Sequence, residues 1–332
     1  MVRLLSISVL TLSITAPVWA QDPGDRFKIS PPPAKVVEPT GATLFDLTDL
    51  LSAHPDAEAK IERIKVDGAQ LRRSGPYLLV MGPPSAAVTV AEQLNALRQD
   101  DLATQTVGHI APSSIYTKVR KTRDGIGKAF MGREIAQVMG HLGAGWLERP
   151  EREQEERTDL LVGMLPLTET TRIADIGAGS GYFTSRLSPR VPRGKVLATD
   201  IQPEMLEILS RRIREEGLTN VQTVLGRIDD TGLEPSSVDL ILLVDVYHEF
   251  DHPWEMLLSM RNALKPNGLV AIAEYRANDP MVPIKPLHTM SAEQVILEFE
   301  LAGFTLEDVK TDLPWQRLFL FGRDDRPEPS KP

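Results

Sequence analysis

Two short stretches of this chain carry residue types at spacings that can do chemistry. The first is Asp175-Ile176-Gly177-Ala178-Gly179-Ser180-Gly181, where glycines alternate between an apolar run and an amphipathic one. Glycine has no Cβ, so it accepts positive φ and lets a ligand lie directly against backbone. The amides that open the following helix favour anionic groups. The spacing is G-x-G-x-G, whereas the phosphate-cradling fingerprint of dinucleotide sites is G-x-G-x-x-G. An acid two residues ahead of the first glycine suits a ligand carrying an ammonium group better than a pyrophosphate. The second stretch, His248-Glu249-Phe250-Asp251-His252, satisfies the H-E-x-x-H pattern of zinc peptidases. That chemistry needs both histidines on one helical face, one turn apart. Here the preceding residues 240–246 read as a buried strand, and Pro253 disfavours helical geometry at His252. Pro253 is expected to open the next helix instead, so no metal site is expected.

The elements that must position these residues follow from the pattern of apolar residues. From Thr171 onward strands and helices alternate. The expected strands are Arg172–Ile176, Lys195–Thr199, Val221–Leu225, Val238–Val244 and Leu269–Glu274, with helices at Tyr182–Leu187, Pro203–Glu216 and Trp254–Leu264. Near-continuous apolar runs such as Leu240–Val244 mean strands buried on both faces, hence a parallel sheet between helices. A helix at Ala292–Ala302 precedes two segments, Thr305–Lys310 and Arg317–Phe321, close enough to pair as an antiparallel hairpin. Upstream, residues 41–114 are expected as a small α/β accessory module, with a helical pattern over Leu44–Leu51, a strand at Tyr77–Met81 and a helix at Ala87–Leu97. Residues 115–170 are expected as a helical connector or cap. In it Ile135, Val138, Met139 and Leu142 have helical spacing, and Glu151–Leu165 is a single amphipathic helix.

In this setting the glycine loop resembles the first motif of class I S-adenosylmethionine-dependent methyltransferases. The resemblance spans 172–322, about half the chain. Ala198-Thr199-Asp200 ends the second strand, 19 residues after Gly181, where the family places an acid on both ribose hydroxyls. Gly226-Arg227-Ile228 follows the third strand, where members usually put an acid near the adenine amino group. Arg227 departs from that, leaving Asp229 or Asp230 as substitutes. Val238 to Val246 resembles the fourth-strand motif, and Leu264-Lys265-Pro266-Asn267-Gly268 the turn before the fifth. The implied fold is a Rossmann-like sheet of six parallel strands and one antiparallel, over 171–323, with a smaller N-terminal α/β module. The implied cofactor is S-adenosylmethionine, held by Asp175, Gly177, Gly179, Gly181, Asp200, Ile201, Arg227, Ile228 and Asp245. Val246 to Asp251 also resembles the segment of small-molecule O-methyltransferases whose histidine removes a hydroxyl proton, a task that suits an imidazole oriented by a carboxylate. That makes His248 and Asp245 the catalytic candidates; the other reading is that His248 only caps or packs locally. Tyr182, Tyr247, Trp146 and Tyr275 are candidates to shield a sulfonium through cation–π contact. Residues 283–288 fall where related enzymes form a substrate lid.

Composition narrows the function further. The 332 residues hold 37 Lys and Arg against 46 Asp and Glu, a net charge of −9 that is a poor match for a nucleic-acid backbone. With no cysteine, thiolate catalysis and iron–sulfur clusters are excluded, and arsenite-type methylation is disfavoured. Residues 1–20 have a positive start at Arg3, a short apolar stretch and Val18-Trp19-Ala20, the layout of a cleaved secretory signal. A periplasmic or secreted bacterial protein is therefore expected, with no stable membrane span after cleavage and a small-molecule acceptor as partner. A Pro-rich linker at 21–40 and a polar tail at 324–332 complete the plan. The oligomeric state and the acceptor have no signal in the sequence. Three alternatives stand beside the methyltransferase: an extracytoplasmic binding protein on that scaffold without turnover, a zinc metallopeptidase through His248 and His252, and an NAD-dependent dehydrogenase. The first is motivated by S-adenosylmethionine being charged and cytosolic, which leaves an exported enzyme without an obvious methyl source.

Overall fold

The computed structural model describes residues 42–54, 57–99 and 113–325. The signal-like segment 1–20, the linker 21–40 and the end of the tail lie outside the described residues. No helix among the described residues is long and apolar enough to cross a membrane.

The large sheet contains seven strands: Arg172–Ile176, Lys195–Asp200, Val221–Leu225, Val238–Val244, Leu264–Tyr275, Phe304–Lys310 and Gln316–Arg323. Numbered in that order, they lie side by side as 3-2-1-4-5-7-6. The first five pair in parallel, and the last strand inserts antiparallel between the fifth and sixth. The sheet is therefore the Rossmann-like arrangement of six parallel strands and one antiparallel strand. Its central strands are buried on both faces, with Ile173, Ala174, Ile241, Leu242 and Ile272 all out of solvent, which is why they read as continuous apolar runs. The order reverses beside the first strand, so the crevice at that switch point opens at the carboxyl ends of strands one, two and four.

The N-terminal module is an antiparallel sheet, with Ala42–Asp46 pairing with Tyr77–Met81 and, on its other side, with Ser113-Ser114. Gln70–Ser74 completes it. Leu44–Leu51 is thus not one helix: a strand runs to Asp46 and the helix Thr48–Ala53 follows. The physical reason is two-sided burial. Phe45, Leu78 and Val80 face the module's own helices, including Pro84–Gln99, while Leu44 and Leu79 face the large domain's core beside Phe299 and Phe304. A strand delivers alternate residues to opposite faces; a helix here would not.

The connector also departs from the helical expectation. Tyr116–Lys118, Gly125–Phe130 and Arg133–Ala136 form a three-stranded antiparallel sheet. Its second hairpin turns on Met131 and Gly132, at φ 46° and 89°, with Phe130 paired to Arg133. Two consecutive positive-φ residues match the twist of the flanking strands. Methionine in the first of those positions hides the turn from sequence. The expected 151–165 helix breaks at Arg157, φ 51°, into Arg152–Glu156 and Thr158–Met164. Glu153 caps the second piece by accepting from the Asp159 amide, and the change of direction sends Leu161 and Val162 into the core.

Candidate functional site

Each of the four central strands delivers a carboxyl group to the crevice edge. Read across the sheet they are Asp200, Asp175, Asp245 and Glu274; Asp200, Asp175 and Glu274 are buried, and Asp245 is half-buried. Asp200 ends its strand, and its two oxygens accept from backbone: Oδ2 from the Gly179 amide and Oδ1 from the Gln202 amide, both at 2.9 Å. Burial raises its pKa, and those amides work against the rise. Asp175 Oδ2 accepts from Thr184 Oγ1 at 2.6 Å. Burial pushes Asp175 up to about 6, with the Asp200 charge adding to the shift and Thr184 and Arg152 opposing it.

The glycine loop makes the close approach the sequence implies. Gly177 and Gly179 sit at φ 70° and 54°; a Cβ at Gly177 would collide with Val246, and one at Gly179 would come 2.7 Å from Leu147 Cδ1. Ile201 and Ile228 are exposed beside this loop, available as apolar walls for a flat ring. Arg227 is fork-paired with Asp229 at 3.0 and 3.1 Å. Asp230 is buried and accepts from the Gly232 amide at 2.7 Å within its own turn. The nearest acids to the third strand are therefore already engaged.

Asp245 follows the fourth strand at φ 51°. Its Oδ2 accepts from Gln316 Nε2 at 2.7 Å, while Oδ1 is buried with no hydrogen-bond partner. Burial, with the charges of Glu156 and Glu274 added, drives its pKa well above the ordinary carboxylate value. Buried polar atoms are nearly always satisfied, so this oxygen marks a place where a ligand donor or cation belongs.

The second cluster does not form the helical pair of H-E-x-x-H. Tyr247–Glu249 is a single 3-10 turn, Phe250 is extended, and the next helix begins at Pro253. His252 lies outside the cluster, and its Nδ1 has no hydrogen-bond partner. His248 instead contacts Glu274, Nδ1 to Oε2 at 2.6 Å, and its Nε2 lies 3.2 Å from Nδ1 of His288. Burial disfavours charge on His248, but Glu274 outweighs it and the net pKa is raised. His288 comes from the 283–288 segment, which Lys285 ties to Asp124 at 2.6 Å. Sequence placed His288 only in the expected 283–288 lid, forty residues from His248; the folded loop brings the two rings together.

The connector, expected from sequence as a helical connector or cap, reaches the crevice edge at Gln202 and Ser180. Gln202 accepts from the His141 amide and donates to the Met139 carbonyl, at 2.8 and 2.9 Å. Glu148 accepts from both Ser180 and Arg212. Arg152, Glu156 and Tyr275 form a buried polar cluster beneath it. Tyr182, Tyr247 and Tyr275 are buried packing residues, and Arg152 and Arg186 lie over the Tyr182 ring. Trp146 is partly exposed and carries Arg149 on its face at 3.7 Å.

The chemistry of this edge fits S-adenosylmethionine. A row of buried and half-buried carboxyl groups, one with an unpartnered oxygen, favours a ligand bearing sulfonium and ammonium charge. It opposes the doubly anionic pyrophosphate of NAD, which removes the dehydrogenase reading. Residues 174–270 match a family model described as a methyltransferase domain. An uncharacterized methyltransferase-like protein of Schizosaccharomyces pombe is 32% identical over 126 residues, covering 38% of this chain and 46% of that protein. The malonyl-[acyl-carrier protein] O-methyltransferase of Halalkalibacterium halodurans is 28% identical over 152 residues, or 45% of this chain and 54% of that enzyme. The chain thus spans about half the length of these curated relatives. Among solved structures, a SAM-dependent methyltransferase from Aquifex aeolicus superposes with a TM-score of 0.53 at 24% identity, covering 55% of this chain and 98% of that one, a likeness of fold. The methyltransferase-domain match over residues 174–270, set in this strand order and glycine loop, gives the C-terminal half of the chain the class I S-adenosylmethionine-dependent methyltransferase fold.

Proposed function

We propose that the protein transfers a methyl group from S-adenosylmethionine to a small acceptor, with oxygen as the accepting atom. The observation that carries this is the row Asp200, Asp175, Asp245 and Glu274, with Asp245 Oδ1 unpartnered, beside a loop that lets a ligand touch backbone. Asp200 is placed to hold the ribose hydroxyls, Asp175 and Asp245 the positive charge of the methionine end, and Ile201 and Ile228 the adenine. Arg227, turned to Asp229, lies on the surface at the adenine side. The cofactor supplies an electrophilic methyl on a sulfonium, and transfer asks the protein chiefly for alignment. His248 is held by Glu274 with Nε2 toward His288, and in this reading Nε2 orients an acceptor hydroxyl and takes its proton. The O-methyltransferase relative supports oxygen as the accepting atom.

Turnover against a panel of hydroxyl-bearing small molecules, followed by formation of S-adenosylhomocysteine, tests this. His248→Ala is expected to lower kcat by roughly 100-fold or more with little change in cofactor affinity. Tight cofactor binding without turnover on any acceptor would instead favour the binding-protein reading.

Cofactor affinity carries a pH signature of its own. Asp175 has its pKa raised to about 6, so it is neutral in the free protein below that pH and ionised above it. A cationic ligand favours the ionised form, so binding below pH 6 must expel a proton. Affinity is expected to be weaker at pH 5 than at pH 7 by roughly tenfold, the ratio of ionised fractions for a group titrating near 6. Calorimetry in buffers of different ionisation enthalpy reads the proton directly, and Asp175→Asn is expected to flatten the profile. A wild-type affinity independent of pH over that range would remove Asp175 from the cation's surroundings.

A further inference from the structure

We infer that His248, Glu249 and His288 form a binding site for a divalent transition-metal ion of the zinc type. His248 Nε2, His288 Nδ1 and Glu249 Oε1 converge on one point, separated by 3.2, 3.3 and 3.9 Å. A tetrahedral ion with bonds of about 2.0–2.1 Å holds its ligand atoms about 3.3 Å apart. The three atoms therefore already stand close to the spacing an ion would impose, and they are the one such group found among the described residues.

The surroundings orient each ligand from behind. Glu274 Oε2 holds His248 Nδ1 at 2.6 Å, which fixes the ring and, in the neutral imidazole an ion requires, leaves the Nε2 lone pair facing His288. A carboxylate behind a histidine is the usual outer partner of a metal-bound imidazole. Glu249 Oε2 accepts from the Met139 amide at 3.1 Å, leaving Oε1 for the site. His288 is set by its own amide bonding to the Lys285 carbonyl at 2.9 Å, and Lys285 by its ion pair with Asp124. A hydrogen bond between the two imidazoles accounts for one contact but not for the third lone pair. With His248 neutral and its Nδ1 proton held by Glu274, one proton on His288 Nδ1 would have to serve both His248 Nε2 and Glu249 Oε1, two acceptors on a single donor. His248 is buried, while His288 and Glu249 are 21% and 11% exposed, giving an ion a way in.

Two imidazoles and one carboxylate select zinc, iron(II) or cobalt(II) over magnesium, whose preferred ligands are oxygens. Three protein ligands also leave at least one coordination position open. In methyl transfer, a role that rests on the function proposed above, that position receives the acceptor hydroxyl and lowers its pKa. The hydroxyl then loses its proton to water, and the oxygen forms a bond to the methyl carbon. The carbon–sulfur bond breaks, and sulfur keeps the electron pair as a neutral thioether. His248 acts in that case as a ligand, and the ion takes over the work of the base. The acceptor class narrows to oxygen acids able to coordinate: phenols, enols or hydroxamates.

The test uses the full chain, stripped with chelator and titrated with zinc by calorimetry and with cobalt(II) by its visible absorption. One ion per chain is expected, with the absorption of low-coordinate cobalt and no competition from millimolar magnesium. His288→Ala and Glu249→Gln, both on the exposed side, are each expected to weaken binding by roughly 100-fold. His252→Ala, the residue that sequence spacing alone would nominate, is expected to change nothing. Absence of stoichiometric binding, binding indifferent to His288→Ala, or binding lost with His252→Ala would each overturn the site. Metal binding with no methyl transfer would leave the site standing and remove the methyl-transfer reading. Turnover unchanged by chelation, alongside normal metal binding, would confine the ion to a structural role and refute its part in the chemistry.

Discussion

Asp200→Ala is expected to weaken S-adenosylmethionine binding by at least about 100-fold, with the chain still folded. Two hydrogen bonds from ribose hydroxyls to a buried carboxylate are lost, each worth about 1.5–3 kcal/mol to a charged group, and 3 kcal/mol is already about 150-fold. Truncation also frees the Gly179 and Gln202 amides, which Asp200 holds at 2.9 Å. Part of the loss is therefore a slackened loop. Asp200→Asn separates the two contributions, since it keeps size and one acceptor but gives up the charge and the second accepting oxygen. Its expected loss is about tenfold, between wild type and alanine. Calorimetry with S-adenosylmethionine and with S-adenosylhomocysteine reads both variants. Because Asp200 is assigned to the sugar, the two ligands should lose affinity in equal measure. A loss confined to the sulfonium form would place the cofactor's charge, and not its ribose, at Asp200.

The geometry of the half of the site proposed for the cofactor was legible because its residues sit at strand ends close together in sequence. Asp175 and Gly177–Gly181 form one continuous stretch, and Asp200 closes the very next strand. Parallel pairing then sets Asp175 opposite Ala198, so that Asp200 follows two residues further along the neighbouring strand, at the same edge of the sheet. The acceptor half was not legible in the same way. His248 meets Glu274 and His288 across 26 and 40 residues, and the pairing depends on where a loop folds back. The local pattern even pointed elsewhere: His248 and His252 have the spacing of one helical turn, but the backbone leaves helix at Phe250, where ψ is 118°. Sequence periodicity failed most plainly where one element serves two cores. Leu44 and Phe45 are neighbours that face different hydrophobic clusters, so together with Leu47, Leu50 and Leu51 they mimic a helical stripe.

The acid row also explains why the connector is built around arginines. Four carboxyl groups at one edge would repel one another strongly if left alone. His248 and the Tyr247 amide answer Glu274, and backbone amides answer Asp200. For Asp175 and Asp245 the nearby cation is Arg152, brought in by the broken helix of the cap. The same chain segment that lays Leu147 against Gly179 therefore supplies the charge that makes the edge tolerable. Cap and glycine loop are coupled through this side chain and through the Glu148–Ser180 hydrogen bond.

Arg152→Met accordingly has the largest stability effect expected in the molecule. Arg152 is 3% exposed; it donates to Glu156 Oε2 and to the Leu147 carbonyl, each at 2.9 Å, and lies over the Tyr182 and Phe183 rings. Methionine replaces the packing of the stem but leaves Glu156 with Arg149 as its remaining charged partner and Asp245 with none. Removing one member of a buried ion pair costs about 3–5 kcal/mol, because the charge left behind is uncompensated. The deficit should depend on pH with a definite sign. The folded-state pKa of Asp245 is already raised, so its ionisation subtracts stability as pH climbs from the ordinary carboxylate range toward that raised value. Losing Arg152 raises it further, so the variant should fall further behind wild type as pH rises and recover part of the difference under mild acid. Glu156→Gln is expected to cost only about 1–2 kcal/mol, since Arg152 keeps Asp245 and Tyr275 keeps an acceptor. The double change Arg152→Met with Glu156→Gln should then cost less than the sum of the two. Urea unfolding midpoints at pH 5 and pH 8 measure all three. A single-variant loss below about 1 kcal/mol, or costs that simply add, would mean the cap is held by its apolar contacts and not by charge.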